Sequence, residues 1–141
     1  MPRSIVRDYM VRDAVCLRES APLREAVELV IGRHIRHMPV LDNAGRLVGI
    51  ATDRDVKRAL PSPLSATAAE EYEAILDTTP LARVMTREPL TVTPETSMAE
   101  AVNILLSNRI GGLPVVENGE LVGILTERDV LRAYVELLGR S

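Results

Sequence analysis

Apolar residues recur at spacings of three and four in two stretches: Leu23, Ala26, Val27, Val30 and Ile31, then Met98, Ala101, Val102, Leu105 and Leu106. Each set makes one apolar helix face, expected in a core. Upstream of each, Val15–Arg18 and Leu90–Thr93 read as short strands that lead to Pro22 or to Thr96–Ser97, residues suited to the cap or first turn of a helix. Downstream, His37–Leu41 and Gly112–Val116 read as strands, and DNAG and ENG as tight turns rich in residues that accept positive φ. Arg46–Thr52 and Glu120–Thr126 are then the returning strands of hairpins. A second helix follows each hairpin, and short lead-in helices are expected around Ile5–Met10 and Leu81–Met85.

The two patterns are copies of one another. A shift of 75 residues lays Met10–Asn43 on Met85–Asn118 without a gap, and after one deletion opposite Ala44 the match resumes at a shift of 74, from Gly45 on Gly119 to Leu60 on Tyr134. The returning strand and second helix read GIATDRDVKRAL in one copy and GILTERDVLRAY in the other. Between the copies lies LPSPLSATAAEEYEAILDTTP. Pro61 and Pro63 should stop the preceding helix, and Thr67 followed by Glu70 has capping-box spacing, so a further helix is expected near Ala68–Leu76. A disordered acidic linker is the alternative, because a short isolated helix is marginal in water.

Composition narrows the function classes. The 141 residues carry 17 basic and 20 acidic side chains, a formal charge of −3, which provides no strong field for nucleic acid or an anionic membrane. Cys16 is the single cysteine, so no intrachain disulfide can form. No apolar run has the length of a membrane span or of a signal-peptide core, and the expected location is cytoplasmic. His34 and His37 lie three apart without a clear set of further metal ligands, and no nucleophile elbow, P-loop or dinucleotide fingerprint is present. No catalytic constellation emerges, and Cys16 on a short strand suits core packing better than nucleophilic chemistry.

Two copies of a strand–helix–strand–strand–helix unit, with Met-containing lead-ins (YMVRDAV, VMTREPLTV), turns at PVLDNAG and PVVENG, and closing phrases GIATDRD and GILTERD, resemble cystathionine-β-synthase (CBS) domains. The resemblance covers nearly the whole chain. It implies an α/β (α+β) fold in which two pseudo-twofold-related βαββα repeats pack as one Bateman module. Residues 1–60 would hold repeat 1 with its lead-in, 61–79 a structured linker with a helix at 68–76, and 80–141 repeat 2. It also implies a regulatory module without catalysis or a required cofactor, with clefts that take an adenosine-containing ligand: AMP, ADP, ATP or S-adenosylmethionine. Family practice further implies a homodimer, for which Val130, Leu131, Val135, Leu137 and Leu138 offer apolar surface, and a regulated protein whose identity is open.

The chemistry of the closing phrase suits such a ligand. Thr52 and Thr126 end strands, and Asp55 and Asp129 follow in the first turn of a helix, where free N–H groups favour anions. An ionised Asp can accept hydrogen bonds from both ribose hydroxyls while Thr binds a phosphate oxygen. The same spacing is equally that of a capping box, in which case each Asp contributes only a favourable first-turn charge of about 0.3–1 kcal/mol.

If the family pattern carries over, Thr126 and Asp129 face Cys16, Ile35, Arg36, His37 and Pro39, and Thr52 and Asp55 face Thr91, Ile110, Gly111, Gly112 and Pro114. HIRHMPV then brings two basic side chains where RIGGLPV brings none, so the first cleft is expected to prefer phosphorylated adenosine; Arg54 and Arg128 could add charge to either. For these four basic residues an ordinary solvated surface is the simpler reading. Two other function classes stand beside this one: a ligand-free structural dimerisation module, and a nucleic-acid-binding regulator, which the acidic balance and a total of three aromatic residues disfavour.

Overall fold

A computed structural model describes residues 4–62 and 68–140. The expected stops and caps at Pro63 and Thr67 lie outside the described residues. The chain forms two compact units: Val15–Glu88, and the chain up to Ala14 together with Pro89 onward.

In the Val15–Glu88 unit the order is β1 (Leu17–Arg18), α1 (Leu23–Arg33), β2 (His37–Leu41), β3 (Leu47–Thr52), α2 (Asp53–Ala59), α3 (Ala69–Thr78), a single 3-10 turn (Leu81–Arg83) and β4 (Thr86–Arg87). The strands lie in the order β1-β2-β3-β4, with β1 parallel to β2 and the other pairs antiparallel. The β2–β3 turn is held by Asp42, whose Oδ1 accepts from the N–H groups of Ala44 and Arg46, both at 2.9 Å, while Gly45 takes the positive φ of 84°. Pro22 precedes α1 in an extended conformation and offers no side-chain cap. A backbone group takes that place: the Thr79 carbonyl accepts from Leu23 N–H at 2.8 Å.

Leu23, Ala26, Met38, Val40, Ala51 and Val56 form the core of this unit, and Leu76, Leu81 and Met85 complete it. Helix α3 therefore extends two residues beyond the expected end at Leu76 and packs against the first repeat, with Tyr72 and Ile75 half-buried beside Leu76. Its polar side is clasped by Arg24 of α1, which donates to both oxygens of Asp77, at 2.6 and 3.1 Å, and also pairs with Glu73.

In the other unit a 3-10 turn at Val6–Asp8 is followed by α4 (Met98–Asn108), β5 (Gly112–Glu117), β6 (Glu120–Thr126) and α5 (Glu127–Gly139). Ser97 caps α4, its Oγ accepting from Glu100 N–H at 3.1 Å. The strand expected at Leu90–Thr93 is reduced to a bridge between Val92 and Val115, with prolines at 89 and 94 limiting further pairing. Val6, Val92, Met98, Ala101, Leu105, Leu113, Val115 and Leu125 form its core. In both repeats the fifth apolar position of the first helix departs from expectation: Ile31 and Leu106 are 68% and 70% exposed. Each sits in the last turns of its helix, beyond the buried stripe.

The compact units cut across the division of the sequence at 60 and 80. The second repeat's lead-in belongs to the first repeat's core, where Leu81 N–H donates to Ala21 O at 2.9 Å and Thr86–Arg87 pair with Ile50 and Gly49. The first repeat's lead-in belongs to the other core: Val6 N–H donates to Thr96 O at 2.8 Å, and Val11 and Ile124 exchange two bonds of 2.9 Å. Two glycines permit these approaches. A Cβ on Gly123 would lie 2.7 Å from Val11 O, and one on Gly49 would lie 2.5 Å from Met85 Sδ and 2.8 Å from Thr86 O.

Because the obstruction includes backbone, Gly123→Ala and Gly49→Ala should each destabilise the fold by about 1–3 kcal/mol in urea denaturation, as overpacking does. The Arg24 guanidinium holds the Asp77 carboxyl below its usual range. A lowered folded-state pKa stabilises above the unfolded value of about 3.9 and is lost as pH falls through the folded value. Protection of the α3 amides against exchange, relative to their intrinsic rates at each pH, should therefore fall below about pH 4, and Asp77→Asn should show that lower protection already at neutral pH.

Candidate functional site

Both Thr-x-x-Asp phrases stand where a strand turns into a helix. At the end of β3, Thr52 has extended backbone (φ −112°, ψ 165°); its Oγ1 accepts from Asp55 N–H at 3.2 Å, and its own N–H donates to Asp55 Oδ2 at 3.0 Å. This is a reciprocal capping box. Hairpin register sets His37 opposite Thr52, and Asp53 N–H donates to Arg36 O at 3.0 Å, so Arg36 and His37 lie beside the start of α2. Arg36 and Arg54 are exposed, Ile35 and His37 half-buried and Pro39 buried. Cys16 directly precedes β1, whose Leu17 pairs with Val40; burial pushes its thiol pKa up, as suits a packed side chain.

The second repeat has the same frame with different occupants. Gly112 lies opposite Thr126, and Glu127 N–H donates to Gly111 O at 3.0 Å, so two glycines stand where the first repeat has Arg36 and His37. Gly112 and Pro114 are buried, Ile110 and Gly111 half-buried, and Thr91 and Arg128 exposed. Pro114 O accepts from Val92 N–H at 3.1 Å, which ties the segment after Thr91 to β5.

The two carboxylates differ most. Asp129 Oδ2 accepts from Thr126 N–H at 2.8 Å and Thr126 Oγ1 at 3.1 Å, while Oδ1 pairs with Arg132. Asp129 is 2% exposed, whereas Asp55 is half-buried. Arg132 was not among the expected site residues, although Asp-x-x-Arg, which places the pair one helical turn apart, occurs in both repeats as Asp55/Arg58 and Asp129/Arg132. Only the second repeat forms the pair among the bonds observed. Arg58 instead lies in the last turn of the seven-residue α2, where its charge meets the negative end of the helix.

Of the groupings implied by the resemblance, each unit thus contributes one capped Thr-x-x-Asp and one preceding strand segment. Thr52, Arg54 and Asp55 are placed with Ile35–Pro39, and Thr126, Arg128 and Asp129 with Ile110–Pro114. The expected cross-repeat groupings draw one half from each unit. His34 occupies the left-handed residue that ends α1 (φ 55°) and His37 lies in β2; among the described residues no three His, Cys, Asp or Glu side chains are placed to hold a metal ion.

The model of the CBS domain matches residues 6–62 and 81–136. This chain belongs to the CBS domain family. A CBS domain-containing protein of Dictyostelium discoideum is 29% identical over 135 residues, covering 95% of this chain and 93% of that one. Other relatives are longer: the chain spans 42% of an uncharacterized Methanocaldococcus jannaschii protein that is 31% identical over 134 residues, and 24% of a homoserine O-acetyltransferase of Methanohalophilus mahii. Among solved structures, the CBS-pair protein CBSX2 of Arabidopsis thaliana in complex with AMP superimposes with a TM-score of 0.79 at 28% identity, covering 94% of this chain and 97% of that one. The CBS domain pair of protein MJ0100, in complex with 5-methylthioadenosine and S-adenosylmethionine, does so with a TM-score of 0.78 at 26% identity, covering 96% and 98%. The CBS-pair fold read from the two repeats is therefore that of this chain. No helix among the described residues is long and apolar enough to cross a membrane.

The burial of Asp129 revises its expected contribution to stability. Removing it strands the Thr126 N–H and leaves Arg132 unpaired, so Asp129→Ala should cost about 1–3 kcal/mol in urea denaturation. Asp55→Ala removes one such bond, from Thr52 N–H, at a half-exposed position without an arginine partner, and should cost less, about 0.5–1.5 kcal/mol.

Proposed function

We propose that this CBS pair is a regulatory module that binds an adenosine-containing ligand and acts through a partner protein or its own dimer, with no reaction of its own. The observation that carries this reading is the duplicated frame: in each unit a Thr-x-x-Asp capping box sets an acidic side chain beside the first turn of a helix and beside the segment that enters the hairpin. Asp55 and Asp129 are assigned to the ribose hydroxyls, which a carboxylate accepts, and Thr52 and Thr126 to the adjoining phosphate. The adenosine compounds bound by the similar CBS pairs support the ligand class. Arg36 and His37 are assigned to a phosphate, because a guanidinium can bind phosphate oxygens in a bidentate manner and the corresponding Gly111 and Gly112 cannot.

Action through a dimer is supported by α5. Leu131, Tyr134, Val135 and Leu138 make an exposed apolar stripe at helical spacing. Val130, expected on that surface, packs instead against its own unit's core.

Calorimetric titration with AMP, ADP, ATP, S-adenosylmethionine and adenosine tests the reading, together with thermal shifts. At 100 times the dissociation constant a ligand specific for the folded chain should add about 2.7 kcal/mol of stability. Arg36→Ala/His37→Ala should erase the preference for AMP over adenosine. Combining that double variant in turn with Asp55→Ala and Asp129→Ala identifies, by non-additivity, which carboxylate shares a ligand with the cations. Absence of binding by every compound, with an intact dimer, would instead identify a structural dimerisation module.

A further inference from the structure

We propose that Arg132 is a latch on Asp129 that holds the second repeat's ribose acceptor closed, so that a ligand must displace the guanidinium to engage it; this rests on the assignment of Asp129 to a ribose. A carboxylate offers about four acceptor positions. On Asp129, Thr126 N–H and Oγ1 occupy Oδ2 and Arg132 occupies Oδ1, which leaves about one for a diol that brings two donors. The Asp129 side chain is also 3% exposed, whereas the Arg132 side chain is 60% exposed. A flexible, solvated cation therefore covers a buried acceptor. In the first repeat Thr52 Oγ1 accepts from Asp55 N–H, and Asp55 receives one bond, from Thr52 N–H, among those observed. Two phrases with the same Asp-x-x-Arg spacing thus present one open and one latched carboxylate.

The latch makes the two acceptors unequal for the nucleoside itself, independently of phosphate. It also couples occupancy of Asp129 to the surface of α5, since a displaced Arg132 becomes a free cation next to Leu131 and one turn from Val135 and Glu136, on the helix that carries the exposed apolar stripe.

The test is titration of adenosine and AMP into the Asp55→Ala chain, with and without Arg132→Met, which keeps the aliphatic stem and removes the charge. Arg132→Met should tighten adenosine about tenfold, the equivalent of about 1.4 kcal/mol. Unchanged or weaker adenosine binding overturns the latch. Weaker AMP binding with adenosine unchanged also overturns it, and makes Arg132 a phosphate cation. Should Arg132→Met fail to fold, Arg132→Gln takes its place in the Asp55→Ala chain: loss of the charge should again tighten adenosine, and unchanged or weaker adenosine binding overturns the latch. Adenosine binding by the parent that is lost in Asp55→Ala and not restored by Arg132→Met defeats the latch alone. Absence of binding by every chain, parent included, defeats the ligand assignment and the latch with it.

Discussion

Leu81 and Val6 are both fully buried, and each lies in the core of the repeat to which it does not belong in sequence. The rest of the structure depends on this exchange. Each hairpin has a returning strand whose outer edge would otherwise present unpaired N–H and C=O groups, and the exchanged segment takes up part of that edge, Thr86–Arg87 on β3 and Val11 on β6. The approach is close enough that a glycine is required at the crossing in both places. With the edge covered and the core closed, strand end and helix start are fixed relative to one another, and the Thr-x-x-Asp groups acquire a defined geometry.

That geometry makes folding and recognition draw on the same atoms. Oδ2 of each Asp already accepts from the backbone of the Thr three residues before it, so whatever a ligand takes from the carboxylate is what the helix start has left over. Capping and binding are thus successive claims on one set of lone pairs, and the first repeat leaves more unclaimed than the second. Helix α2 stops at Ala59, which puts Arg58 in its last turn, while α5 runs to Gly139 and leaves Arg132 in mid-helix within reach of Asp129.

Local features were legible in the sequence because their causes are local. Period set β2, the hairpins and the first helix of each repeat to within a residue or two, and the Asp42 turn and the Ser97 cap follow from side chains that bond their own backbone. The connector helix was visible from its composition, but its place in the first core was not, since nothing near Leu76 in sequence signals Arg24. The exchange of lead-ins was invisible for the same reason: Gly49 and Gly123 record a close approach without naming what approaches. At the site, the Thr-x-x-Asp phrases and the contrast between Arg36–His37 and Gly111–Gly112 could be read directly. The engagement of Asp129 by Arg132 could not, because the same spacing in the first repeat gives no such pair.

The exchange also orders the assembly of the chain in time. Everything that completes the Val15–Glu88 unit has been synthesised once Glu88 is made, and that unit can close while the remainder is still being translated. The segment around Val6 and Val11 is made before that unit, yet its partners at Thr96 and Ile124 emerge after it. At about 5–20 residues per second this is a wait on the order of ten seconds, during which the segment around Val6 and Val11 has no partner in its own core. Residues made before either core is complete are thus among the last to be packed.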